Sequence, residues 1–338
     1  MFDQSNLVTI PQQEKPILFV IIDTEEEFDW SKPVQRENTS VANIAHQHNA
    51  QTIFARYGVK PIYVIDYPVA SQAAGYDVLK SYYDDGLCDI GAHLHPWVTP
   101  PFTETLSNAH TFPGNLPRDL EYAKLDNLTN MIERHFGFRP SIYKAGRYGV
   151  GQHTTDILAE LGYHIDASVV PKTNFADIEG PDFSALHAMP YRFGPERSLL
   201  EVPLSVDYDG LLAKLGQSLY PLIKQPIFER CRLPGIFARL KLLERLKLSP
   251  EGQTFDEMKR LTHVMLARGY RLFCLTYHSS TLRPGCTAYT QNADQLQTFL
   301  NTVERYMAFF FEEIHGCHGT LNTLKTWQTS HVDEVKSC

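Results

Sequence analysis

The sequence predicts an α/β fold built on parallel strands, and three observations carry that prediction. The first is Ile17-Leu18-Phe19-Val20-Ile21-Ile22, an unbroken apolar run of strand length, rich in β-branched residues. Such a run reads as a strand buried on both faces, the state of strands in a parallel sheet. The second is recurrence: similar runs return along the chain, most of them preceded by a segment of helical pattern, as βα units require. The third is that polar residues gather at the same end of these runs. Asp23 and Glu25 follow the first, His93 and His95 close another, Lys144 and Arg147 a third, and His278 the last. Parallel strands bring such ends to one mouth, where α/β enzymes place their chemistry.

Taken in order, residues 41–57 have a helical pattern with a polar face, and Gly58 suits a C-cap. Residues 59–65 form the second strand, and a helix follows over 70–84, ending near Gly86. Residues 88–97 give a short strand with two histidines at its end. A long amphipathic helix spans 120–136, a strand 141–148, and a helix 154–161 stopped by Gly162. Strands then follow at 163–170, 199–206 and 270–278. Residues 211–248 break the rhythm and read as helices divided by Pro221, Pro226 and Pro234, with cations spaced among leucines and isoleucines. Two readings of that segment stay open: a helical insertion with a solvated basic face, or a basic amphipathic surface for anionic lipid or polymer. The expected organisation is one domain over residues 1–315, with an insertion at about 208–252 and a polar tail over 316–338.

Composition narrows the class. The apolar and charged fractions, 43% and 21%, are those of a soluble globular chain. A net charge of −8 argues against broad nucleic-acid binding. Six cysteines form no CxxC pair, which predicts reduced thiols and a cytoplasmic setting. Residues 1–15 lack an apolar signal core, and no stretch approaches the ~20 apolar residues of a membrane span.

The strand-end residues suggest their chemistry. Asp23 and Glu25 are two apart, so in extended backbone they leave the same face. They could share a divalent metal, or divide into one ligand and one general base. His93 and His95 share a face in the same way. Two imidazoles with a carboxylate form the ligand set of a catalytic zinc with open positions. His278, ending its strand, suits a general acid.

In order and context these segments resemble the polysaccharide deacetylases with the NodB-homology domain, a carbohydrate-esterase type, most closely the WalW-like branch. The resemblance rests on five segments: Ile22-Asp23-Thr24-Glu25-Glu26-Glu27-Phe28, Ile90-Gly91-Ala92-His93-Leu94-His95-Pro96-Trp97, Tyr143-Lys144-Ala145-Gly146-Arg147-Tyr148-Gly149, Ile165-Asp166-Ala167-Ser168-Val169-Val170-Pro171 and His278-Ser279-Ser280-Thr281-Leu282-Arg283-Pro284-Gly285. It implies a distorted (β/α) barrel, a bound divalent ion, zinc by expectation, and hydrolysis of an N-acetyl amide on a sugar of a polysaccharide or glycoconjugate. It implies Asp23 as base, with Glu25, His93 and His95 as metal ligands. Lys144 stands where the family has an arginine; Arg147 is expected to hold the base in its place, with Arg147 or Lys144 pairing with Asp23 to keep it ionised. His278 is the expected acid, oriented by Asp166, and Lys144, Trp97 and Tyr148 are expected to meet substrate. The expected partner is an N-acetylated sugar, carrier-linked or polymeric, with at most weak contact to a membrane surface. Two other classes fit the same residues: hydrolysis of another C–N bond, as in a ureide or imide, and carbohydrate binding without turnover.

Overall fold

The computed structural model describes residues 4–330 and 335–336. Eleven strands are present among them: β1 (Ile17–Thr24), β2 (Ile62–Ile65), β3 (Asp89–Leu94), β4 (Ile142–Ala145), β5 (Ile165–Asp166), β6 (Tyr191–Phe193), β7 (Leu199–Glu201), β8 (Val206–Asp209), β9 (Glu244–Lys247), β10 (Leu272–His278) and β11 (Cys317–His318). The main sheet runs β10-β1-β2-β3-β4-β5-β7-β6, and every pair from β10 to β7 is parallel. β6 closes the far edge antiparallel to β7. The expectations of an α/β fold and a distorted barrel are both realised.

The barrel closes through backbone rather than through an eighth strand added to the seven parallel ones. Between β7 and β10, Leu204 N–H bonds Val169 O at 3.0 Å, Leu248 N–H bonds Ser205 O at 2.8 Å, and Thr276 N–H bonds Leu248 O at 3.2 Å. The segments flanking the antiparallel pair β8/β9 thus fill the seam.

Every residue of β1 is buried, and alternate residues enter two different cores. Leu18, Val20 and Ile22 pack under the outer helices, while Ile17, Phe19 and Ile21 face the interior. The interior also takes Ile62, Val64, Ile142, Ile165, Leu200 and Cys274. This two-residue period decides which strand-end side chains can meet.

The helix layer is α1 (His48–Arg56), α2 (Tyr67–Ser71), α3 (Ala73–Asp84), α4 (Arg118–Phe136), α5 (Thr154–Glu160), α6 (Gly216–Ile223), α7 (Pro226–Arg230), α8 (Leu233–Arg239), α9 (Phe255–Ala267), α10 (Ala293–Ala308) and α11 (Leu321–Thr329). α4 ends at Gly137 in the left-handed conformation, φ 82°, as its sequence suggests. The helix expected over 70–84 is two, because Gln72 is extended between α2 and α3.

Three expectations change. The segment 211–248 is not wholly helical, since Glu244–Lys247 pairs with Val206–Asp209 and that pairing overrides local helix propensity. The region after residue 316 is no loose tail among the described residues. β11 adds to β1 at Ile17 and Leu18, and α11 buries Leu321, Leu324 and Trp327 against the interior core. Trp327 meets Phe19 edge-on at 5.9 Å. Residues 331–334 and 337–338 lie outside the described residues. Finally, the expectation of reduced thiols fails at Cys317, which is disulfide-bonded, while Cys88, Cys231, Cys274 and Cys286 are free. No helix among the described residues is long and apolar enough to cross a membrane.

Candidate active site

The strand parity places Asp23, His93, Lys144 and His278 on the interior face at the C-terminal ends of β1, β3, β4 and β10. Asp23 is the register partner of His278, and His93 that of Lys144. Above them opens a cavity of about 630 Å³, lined by Asp23, Glu25, His93, His95, Tyr148 and His278 among others.

Glu25, His93 and His95 converge. Glu25 Oε2 stands 3.4 Å from His95 Nε2 and 3.7 Å from His93 Nε2. All three side chains are buried. His93 Nδ1 donates to Lys144 O at 2.9 Å, which leaves the Nε2 lone pair facing Glu25. His95 Nδ1 bonds Glu26 Oε2 at 2.8 Å, directing its Nε2 the same way. Burial, then the neighbouring His95, holds His93 well below the ordinary histidine range, and burial holds His95 down to about 4. Both rings are therefore neutral at neutral pH, with Nε2 able to serve as a donor.

Burial and the adjacent acids Glu26 and Asp23 push Glu25 well above the usual carboxylate range, and its Oε1 is buried with no hydrogen-bond partner. A divalent cation answers that orphaned oxygen and that repulsion. The three donor atoms lie within 4.8 Å of one another. Neighbouring ligands of a tetrahedral ion with bonds of ~2.0–2.1 Å are about 3.3 Å apart. The residues fit the metal that the sequence resemblance implies.

Behind His95 the support is dense. Glu26 takes Trp97 Nε1–H at 2.7 Å as well as the imidazole, and Asp66 Oδ2 accepts from Glu26 N–H at 2.7 Å. Burial pushes Glu26 up to about 7, and burial with Glu26 raises Asp66 well above its ordinary range. Trp97 stacks on His95 with centroids 4.1 Å apart. Gly146 permits this seat, because a Cβ there would come within 2.4 Å of His95 Cδ2.

Beside these three donors, Lys144 Nζ contacts Asp23 Oδ1 at 2.5 Å and Thr276 Oγ1 at 3.0 Å. Burial acts to raise Asp23, but Lys144, His93 and His278 together hold it below the ordinary carboxylate value. Its Oδ2 stands 3.7 Å from His278 Nε2. The other nitrogen of His278, Nδ1, bonds Glu251 Oε2 at 2.8 Å. Glu251 is itself fixed by His278 N–H and the Thr281 hydroxyl, at 2.9 and 2.6 Å. Burial would raise Glu251, but His278 and Lys247 keep it low and ionised. Trp30 sits edge-on to His278 at 4.5 Å and, with Phe28, forms an aromatic wall of the cavity.

Several expected roles move. Arg147 does not hold the base. It and Tyr148 adopt φ of 52° and 60°, and this turn carries the guanidinium away from Asp23. Arg147 donates instead to Asn108 and Thr111 and covers the Phe112 ring. Of the two cations expected to pair with Asp23 it is Lys144 that does so, and it is too deeply buried to meet substrate. Asp166 does not orient His278, because it pairs in register with Tyr143, whose side chain packs in the outer core, and so leaves the sheet on the opposite face. There it bonds Ser168 and shares a buried site with Glu201. Trp97 is sealed behind His95 and lines no part of the cavity. Tyr148 does line the cavity, and its ring lies 5.3 Å from Lys144 Nζ. Sequence reasoning missed Glu251, Glu26 and Asp66. The acid run Glu25-Glu26-Glu27 was the visible signal for Glu26; Glu251 had none, being joined to His278 only by the fold.

No family model matches the sequence, and no curated protein does. Among solved structures, a candidate polysaccharide deacetylase from Mycobacterium smegmatis aligns over 90% of this chain and 89% of its own, with 17% identity and a TM-score of 0.48. A family 4 carbohydrate esterase from Streptomyces lividans, in complex with acetate, aligns over 93% and 96% with 8% identity and a TM-score of 0.44. A peptidoglycan deacetylase from Bacillus subtilis aligns over 94% of both chains with 9% identity and a TM-score of 0.43. Likeness at this level decides nothing about chemistry, and the barrel stands on its own strand order.

Proposed function

We propose that this chain is a metal-dependent hydrolase that removes an N-acetyl group from a sugar. One observation carries the reading: a buried Glu-His-His donor set faces the same cavity as an ionised carboxylate and a carboxylate-held imidazole. That combination provides a metal, a base and an acid around one amide. The resemblance of the strand-end segments to the deacetylases supplies the sugar.

Glu25, His93 and His95 would hold the ion, zinc by the chemistry of its donors. Bound there, it would supply Lewis acidity to the acetyl carbonyl. Asp23 Oδ1 is committed to Lys144, so Oδ2 is the atom free to take a proton from the attacking water. The water oxygen bonds to the carbonyl carbon, and the C–N bond then breaks. His278 Nε2 gives its proton to the leaving nitrogen, with Glu251 fixing the ring through Nδ1. Acetate and a free amine result. Phe28 and Trp30 offer apolar faces against which a sugar ring can lie.

The test is acetate release from N-acetylglucosamine oligomers by zinc-loaded protein, beside the same assay on cyclic ureides and imides. Amine and acetate appearing together from the sugar support the reading. Turnover confined to the ureides moves the protein to another C–N bond, and sugar binding without turnover makes it a lectin-like relative.

A further inference from the structure

We propose that the insertion between β8 and β9 is a docking surface for anionic lipid bilayers, a reading that does not depend on the chemistry of the active site. Its helices are apolar on two sides. On the inner side Leu219 and Ile223 of α6 and Leu233 and Phe237 of α8 close over Tyr208 and Leu243 as a small core of their own. That core is complete, and the outer side is a second apolar set. Leu211, Leu215, Leu222, Ile227, Ile236 and Leu240 are between 43% and 82% exposed. Within the helices, exposed Leu222 stands next in sequence to inward Ile223, and exposed Ile236 next to inward Phe237, each about 100° further round the turn. Among the described residues, more than half of the exposed large apolar side chains are gathered in this one segment.

Charge selects what covers it. Residues 210–243 hold six cations, Lys214, Lys224, Arg230, Arg232, Arg239 and Lys241, against one acid, within a chain of net charge −8. All six cations are exposed. Leucines and isoleucines ringed by lysine and arginine are the composition of segments that lie in a membrane interface, apolar side chains among the acyl chains and cations against headgroup phosphates. A spanning mode is not available, since none of these helices is long enough. The surface also stands clear of the active site, as no residue of 211–248 lines its cavity.

The experiment is flotation of the full chain with vesicles of phosphatidylcholine alone and of phosphatidylcholine mixed with phosphatidylglycerol, at low and high salt. The protein is expected to float with the mixed vesicles, to float little with the neutral ones, and to be released by salt. Replacing Lys214, Arg239 and Lys241 by Gln should weaken retention on the order of a hundredfold, given roughly fivefold per cation near an anionic surface. Replacing Leu215, Leu222, Ile236 and Leu240 by Ser should abolish it, with the melting temperature confirming that the barrel is folded. Failure to float with mixed vesicles overturns the proposal, as does retention that survives both sets of substitutions. A chain that elutes as a dimer, and becomes a monomer with the serine substitutions, overturns it too and makes this face a contact between copies.

Discussion

Lys144 and Asp23 form an ion pair sealed within the barrel, Nζ to Oδ1 at 2.5 Å with neither side chain more than 3% exposed. A buried pair is costly to break from one side only, because the remaining charge stays desolvated. Lys144→Gln should therefore lower stability by about 3–5 kcal/mol, and lower kcat by reorienting the base, while leaving bound metal in place. Asp23 is held below its ordinary value of 3.8, so the pair contributes fully above that pH and its contribution is lost as pH falls through the depressed value. Thermal unfolding from acid to neutral pH checks this: the gap between the natural chain and Lys144→Gln should narrow only at the acid end.

The metal prediction separates ligands from their supports. His93→Ala and His95→Ala should each strip the ion, read by elemental analysis of purified protein. Glu26→Gln keeps every ligand but weakens the hold on His95 Nδ1, and should lower metal affinity by about 10–100-fold in a chelator titration. Full occupancy in His95→Ala would remove that histidine from the ligand set.

Glu251 and Asp166 give opposite outcomes. Glu251→Gln disturbs the residue that orients His278, and kcat should fall by about 10²–10⁴-fold with little change in KM. Asp166→Asn lies on the other face of the sheet and should leave kcat near that of the natural chain. Equal losses in both variants would mean that the two faces are not insulated.

A fourth prediction concerns stability far from the site. Burial pushes Glu121 up to about 7 from an ordinary 4.5, with its Oε1 accepting from the Thr154 hydroxyl at 2.5 Å. A raised carboxylate value means that the folded state holds its proton more tightly than the unfolded chain. The stability from that proton is present below pH 4.5 and fades as pH rises towards 7. Glu121→Gln keeps the neutral form and the hydroxyl bond. It should match the natural chain in denaturant unfolding at pH 4 and exceed it by roughly 3 kcal/mol at pH 8.

Much of the site was legible because parallel strands are apolar until they end. Residues 17–22 stop abruptly at Asp23, and the two-residue period then assigns Glu25, His93 and His95 to one face. Asp166 rested on the resemblance alone, and the parity that sends it to the opposite face cannot be read from a strand of two residues. Glu251 was illegible for a different reason. It precedes α9, twenty-seven residues before His278, and only the closing of the seam brings the two together. In the run Glu25-Glu26-Glu27, composition could not foretell three fates: facing the histidines, bracing His95 from behind, and pairing with Arg283 at 2.6 Å. The C-terminal helix was visible in principle, since Leu321, Leu324 and Trp327 recur on one face of a largely polar stretch.

The hairpin of β8 and β9 has a consequence for modularity. Asp209 and Glu244 are register partners across it, and Leu248 is bonded on both sides at its base. Antiparallel partners at a hairpin end can be joined by a two-residue turn such as Asn-Gly. Residues 210–243 could thus be excised and the strand ends reconnected without altering the backbone bonds that complete the barrel. The molecule is divisible at that point into a barrel body and an exchangeable cassette.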